Sequence, residues 1–305
     1  MNIYLFDYIF APRPYLHNLK NIVAVVNNWW SVILFKYGVI NSTTFQLKDG
    51  REIQIKSKDD YSKFFNTEFP LAEITVRGGK AFIKNGQIHF SYKGRWLRFV
   101  DDYNQRGITL RLIRDNFIDN QYSMLNVKDR IVVDLGASVG DSAIYFALNG
   151  AKHVYAFEPF PYTYMLAEKN VRLNGLARKI TVLNGGIGKF NKRINITGKN
   201  VITLGSYAVP SGKGGRTVKI FTLKKIFKDF KIEDAVVKSD CEGAEYDFIL
   251  GSSAPTLRRI KEFIIEYHRG YKDLERRLNE IGFKVKHNVL GVGRERQLGF
   301  LYAHR

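Results

Sequence analysis

The stretch Val133-Asp-Leu-Gly-Ala-Ser-Val-Gly-Asp141 decides how the rest of this 305-residue chain is read. The apolar run Ile131–Leu135 leading into it has the length of a buried strand, and Ser142–Leu148 after it predicts a helix stopped at Asn149-Gly150. Gly136 lets the chain turn tightly out of the strand. Gly140 lets the helix start close to a ligand, where its free N–H groups can hold an anion such as a carboxylate. A dinucleotide fingerprint needs glycine at the first, third and sixth positions of this turn. Those positions hold Gly136, Ser138 and Asp141, so the pattern fails twice, and Asp141 would repel a pyrophosphate. Asp134 at the strand end suits a ligand carrying a positive group instead. Glu158 closes the next strand, Val154–Phe157, at a spacing of 24 residues from Asp134, where an acid can accept both hydroxyls of a ribose. Pro159 and Pro161 stiffen the turn beyond it. A carboxylate, a cationic centre and a ribose in one ligand describe S-adenosylmethionine, the expected cofactor.

Working outward, strands alternate with helices. Tyr162–Leu173 is a helix ended at Asn174-Gly175, Ile180–Leu183 a strand, Leu223–Phe230 a helix and Ala235–Lys238 a strand. A helix near Tyr246, a strand at Phe263–Ile265 and a helix at Leu274–Ile281 follow. Such alternation predicts a parallel sheet with helices on both faces, an α/β Rossmann-like fold. Phe283–Val285 and Leu298–Ala303 have only a glycine loop between them and should form an antiparallel hairpin near the sheet edge. Residues 185–217 are rich in glycine, Gly186 among them, and read as an excursion between the third and fourth strands, with a β-hairpin as its expected form. Upstream, Leu110–Met124 is expected to be helical.

The first hundred residues look different. Ile22–Ile40 reads as a packed helix rather than a signal peptide or a membrane span, since Asn27, Asn28 and Lys36 interrupt it and no cleavage site follows. Thr43–Leu47 and Glu52–Lys56 flank a glycine turn, and Ile74–Val76, Ala81–Ile83 and Ile88–Phe90 repeat the pattern, the last two across Asn85-Gly86. Residues 1–105 are therefore expected to form a helical and small antiparallel β extension, and residues 106–305 the Rossmann-like domain.

Composition narrows the partners. With 48 basic and 29 acidic residues the net charge is +19, which favours polyanions if it is clustered. The β extension, Arg193 and Lys213–Arg216 are the candidate contacts for RNA; a membrane surface is not expected. The single cysteine, Cys241, rules out an intramolecular disulfide and a cysteine-rich zinc site, and points to the reducing cytoplasm.

Several motifs resemble the FkbM-type branch of class I methyltransferases: Asp134–Asp141 with Ala156-Phe-Glu-Pro159, Lys169-Asn-Val-Arg-Leu-Asn-Gly175, Lys238-Ser-Asp-Cys-Glu-Gly-Ala-Glu245 and Ile264-Ile-Glu-Tyr-His268, with Asn120–Met124 upstream. The resemblance covers roughly residues 115–290 and leaves 1–100 unexplained. It implies a seven-stranded sheet whose last strand is antiparallel, and O-methylation of a hydroxyl. Ser239 and Cys241 stand where the family pattern has hydrophobic residues. The cofactor contacts expected are Asp134, Gly136, Ala137, Gly140, Asp141, Glu158, Pro159, Gly186 and Asp240.

The catalytic candidates are Asp240, Glu242, Glu266 and His268, which follow the fourth and fifth strands and so face the cleft beyond the strand ends. Asp240 or Glu242 would orient a hydroxyl, and His268, with an ordinary pKa near 6.5, suits a general base. Glu245 reads as a helix-start residue. Glu242 beside Cys241 disfavours a thiolate, so Cys241 reads as structural. Carboxylates at 240, 242 and 266 suit magnesium, but their spacing does not demand a metal, and none is assigned. The leading expectation is metal-independent O-methylation of a sugar, glycan or other hydroxylated small molecule. An RNA methyltransferase and a non-catalytic cofactor-binding protein are the alternatives.

Overall fold

The computed structural model of the chain describes residues 12–101, 106–196, 216–292 and 297–305. Two compact units divide between Asn120 and Gln121. This lies beyond the boundary expected at 105/106, because the helix at Arg106–Ile113 packs among the elements that precede it.

The first unit contains α1 (Pro12–Val25), α2 (Trp29–Lys36), β1 (Thr43–Gln46), β2 (Glu52–Ile55) and α3 (Lys58–Lys63), a π-helical turn at Phe64–Glu68, and α4 (Phe69–Val76). Then come β3 (Lys80–Lys84), β4 (Gln87–Tyr92), β5 (Arg95–Phe99), α5 (Arg106–Ile113) and a second π-helical turn at Arg114–Ile118. Three expectations need correction. Residues 22–40 are not one helix: Val26 bridges Leu47, and the Asn28 side chain accepts from Gln46 N–H at 2.8 Å and donates to Thr44 O at 2.8 Å, which breaks the helix where it meets β1. Ile74–Val76 ends a helix instead of forming a strand, since Phe69 to Ile74 are all buried and so lack the two-residue alternation of a half-buried strand. The expected helix over 110–124 stops at the π-helical turn, and Asn120 takes a positive φ of 52°. The hairpin at Asn85-Gly86 is present: both residues have positive φ, 51° and 72°, as a two-residue turn with matching twist requires. Arg114 packs inside this unit against Glu73 at 2.6 Å, tying the second π-helical turn to α4.

The second unit is a ten-stranded sheet. Its strands are β6 (Ile131–Leu135), β7 (His153–Glu158), β8 (Ile180–Ile187), β9 (Lys192–Ile196), β10 (Arg216–Phe221), β11 (Ala235–Ser239), β12 (Ile260–Tyr267), β13 (Lys284–His287), β14 (Gly291–Val292) and β15 (Gln297–His304). Between them lie α6 (Asp141–Leu148), α7 (Pro161–Leu173), α8 (Leu223–Asp229), α9 (Ala244–Gly251), α10 (Ala254–Leu257) and α11 (Lys272–Glu280). The expected seven strands run in the order β8-β7-β6-β11-β12-β15-β13, and β15 is antiparallel to both neighbours. This is the Rossmann-like architecture with its antiparallel last strand. Three further strands enlarge the sheet beyond seven. The 185–217 excursion pairs β9 with β10 as an antiparallel couple, and β10 adds parallel to β8. Strand β14 folds onto β15. Gly198–Gly215, with the basic residues from Lys213, lie outside the described residues.

Central strands are buried on both faces: all five residues of β11 are buried, the apolar Ala235, Val236 and Val237 followed by Lys238 and Ser239. Phe157, Phe227, Phe248 and Phe263 fill the core around them. The switch in strand order falls between β6 and β11, and the turns leaving these two strands meet there: Asp240 N–H donates to Leu135 O at 3.0 Å. Among the described residues no helix is long and apolar enough to cross a membrane.

Candidate active site

The site is built on the turn between β6 and α6. Gly136 and Gly140 have φ of 80° and 85°, a region that costs other L-residues backbone strain. A Cβ on Gly136 would collide with the carbonyl oxygen of Asp240, so the two turns can approach only because that position is glycine. Gly136 and Ala137 N–H both donate to Phe157 O at 3.0 Å, which ties the turn to the end of β7. Gly140 is the N-cap of α6 and offers no side chain to its first turn, where the positive end of the helix dipole lies. Asp141 is the first residue of α6; burial pushes its carboxyl up to about 7.

Glu158 ends β7, buried. One carboxylate oxygen accepts from Phe160 N–H at 2.9 Å and Thr163 Oγ1 at 2.8 Å, and the other accepts from Ser138 N–H at 2.9 Å. Burial pushes this carboxyl up to about 7, against the pull of those three donors. Pro159 follows, its carbonyl accepting from Asn184 at 3.1 Å, and Gly186 lies on β8 against Pro159 and Ile220, the farthest of the expected contacts from the β6 turn.

Asp134, expected as a cofactor contact, lies beneath the turn. Its side chain is fully buried, accepts from Ser142 Oγ at 2.6 Å and pairs with Lys238 Nζ at 3.1 Å. The reason is register: Lys238 on β11 lies directly beside Asp134 on β6. Lys238 also donates to Gly136 O at 2.6 Å, so the pair pins the turn from below. Lys238 stood in the sequence only as the first residue of a family-like motif with no role assigned, because a lysine in a strand reads as solvent-facing until the neighbouring strand is known.

Beyond β11 and β12 sits a cluster of charge. Glu245, at the start of α9 and buried, accepts from Gly243 N–H at 2.8 Å and from His268 N–H at 3.2 Å, and pairs with His268 Nδ1 at 3.1 Å. Glu242, at a positive φ of 53°, holds His268 Nε2 at 3.2 Å. Burial works against a charge on His268, but the Glu245 hydrogen bond and the charges of Glu245, Glu242 and Asp240 outweigh it and hold the imidazole at about 9. This raised value favours the protonated imidazole at neutral pH, the opposite of what a general base needs. Burial and the Asp240 charge push Glu266 well above the usual carboxylate range. Among the described residues neither Asp240 nor Glu266 has a side-chain hydrogen bond. The nearest donor atoms of Asp240, Glu266 and His268 lie within 4.8 Å of one another, a spacing a metal ion can span. Cys241 donates nothing to the chemistry: burial raises its thiol far above neutral.

Fold and site together define a methyltransferase domain of the Rossmann-like class. Residues 134–285, just under half of the chain, match the Methyltransferase FkbM domain. Protein arginine N-methyltransferase 1 of Oryza sativa subsp. indica is 34% identical over 95 residues, 29% of this chain and 24% of that protein. Ribosomal protein L11 methyltransferase of Carboxydothermus hydrogenoformans is 36% identical over 74 residues, 24% of each chain. The chain thus spans about a quarter of the length of these curated relatives. Among solved structures, M. capricolum TrmK with S-adenosyl-homocysteine aligns at 16% identity and a TM-score of 0.36, covering 61% of this chain and 66% of that one.

Proposed function

We propose that the chain uses S-adenosylmethionine to methylate a hydroxyl on a sugar, glycan or other small molecule. The observation that carries this is the placement of one unpaired carboxylate, Asp240, at the switch point beside an uncapped helix start and a ribose-competent acid. The residues fit the cofactor. The first turn of α6 suits its carboxylate, Glu158 its ribose, and the acidic groups at 240 and 266 its cationic end. Bound there, the cofactor supplies an electrophilic methyl group on a sulfonium.

The protein's part is to place a hydroxyl and take its proton. His268 is paired with Glu242 and Glu245, which hold its imidazole at about 9, and burial raises the Glu266 carboxyl above its usual range. Asp240 is left as the group to accept the hydroxyl proton. His268, held between two glutamates, balances the acidic cluster without a metal. The lone, half-buried cysteine fits a reducing cytoplasm.

Substituting Asp240→Asn tests the reading. Methyl transfer from labelled S-adenosylmethionine to sugar or glycan acceptors should fall by about 10²–10⁴-fold, the usual contribution of a positioned acid or base. S-adenosylhomocysteine, which has no sulfonium charge for Asp240 to meet, should still bind within a few-fold by calorimetry. Unchanged turnover removes Asp240 from the chemistry.

A further inference from the structure

We propose that the outward face of the β3–β5 sheet binds single-stranded nucleic acid. Alternation along the three strands turns Ile88, Phe90, Leu97 and Phe99 into the core of the first unit. The opposite face carries Lys80, Phe82, Lys84, His89, Trp96 and Arg98. Register places Phe82 beside His89, and His89 beside Arg98, in one row across the sheet. The Phe82 and His89 rings stack at 4.7 Å with 5° between their planes, and Trp96 meets Phe82 at 5.2 Å and 63°. The residue between Lys80 and Trp96 is the small Ser91, which leaves the indole room to reach Phe82.

Phe82 is 42% exposed and Trp96 50%, so the rings form a contiguous aromatic surface rather than scattered apolar residues. Within the strands the charge has one sign, and the two acids that line a pocket with Phe82, Asp49 and Glu68, are paired with Arg51. Residues 78–100 hold five basic side chains, Lys80, Lys84, Lys93, Arg95 and Arg98, and no acid. Flat rings on a one-signed cationic sheet match a ligand that alternates planar groups with phosphates: bases stack on the rings and the backbone lies along the cations. A duplex hides its base faces, so the match is to a single strand. A protein partner fits less well, since interface cores are depleted of lysine. The proposal is independent of the methyl acceptor, and either can fail without the other.

Fluorescence anisotropy of the full chain with labelled 12-mer RNA, single-stranded DNA and duplex DNA tests it. Binding of a single strand that weakens steeply with added salt is expected, and the RNA and DNA arms show which sugar is preferred. Phe82→Ala with Trp96→Ala should weaken binding at least about tenfold, as loss of stacked bases does. Phe82→Tyr with Trp96→Phe should restore most of it, and S-adenosylhomocysteine affinity should not move in either. If the alanine pair fails to fold, Lys80→Glu with Lys84→Glu supplies the same test through charge. No binding at low salt, tighter binding of duplex, equal binding by the variants, or binding of an acidic polysaccharide such as heparin in place of the oligonucleotides would overturn the proposal.

Discussion

At the scale of single residues, the site is held by two polar groups that never touch a substrate. Lys238 and Asp134 are both buried and lie side by side on β11 and β6. Burying two charges is costly, and the geometry repays it through extra bonds to Ser142 and Gly136 O. Removing one partner leaves the other charge stranded. Lys238→Met should therefore lower stability by about 3–5 kcal/mol, read as a shift in the urea midpoint. Adding Asp134→Asn to it should recover part of that loss. Gly136 was legible from the sequence because a tight turn out of a strand needs glycine, whereas Lys238 was not. Its partner lies 104 positions away, and only strand register brings the two together.

Among elements, turns were legible and helix identity near the N-terminus was less so. Asn85-Gly86 encodes its hairpin locally, because Asn and Gly tolerate the left-handed backbone both residues adopt. Asn85→Val should cost about 1–2 kcal/mol, the penalty of that backbone for a β-branched side chain. Asn85→Gly should cost much less, with thermal melting of the two variants giving the comparison. The segment around Ile74 misled because six consecutive buried residues carry no period of two or of 3.6. Its helical state is set by what covers it on all sides. The 185–217 excursion was recognisable as a departure from the βα pattern, but its addition to the sheet edge depended on the free edge of β8.

For the whole molecule, the buried acids and the buried imidazole share one pH signature. Asp141 and Glu158 rise from ordinary values of 3.8 and 4.5 to about 7, and His268 from 6.5 to about 9. Each group holds its proton more tightly folded than unfolded. Its contribution is complete below the unfolded value and is lost as pH rises through the folded one. The acids therefore withdraw stability up to about pH 7, and His268 withdraws more between about 6.5 and 9. Melting temperature should fall across that range, and His268→Gln should flatten the fall above pH 7. A wild-type melting temperature that rises from pH 7 to 9 would contradict the proton held by Glu242 and Glu245.

The sequence by itself determined the parallel αβ alternation, the glycine turn after β6, the acid ending β7 and the cluster after β11, because each depends on residues within one turn or one strand of each other. Tertiary structure alone decided what those residues do. Strand register set Asp134 beside Lys238, and the meeting of α9 with β12 set His268 between Glu242 and Glu245. Protonation is set by neighbours in space and by burial, and neither can be read along the chain.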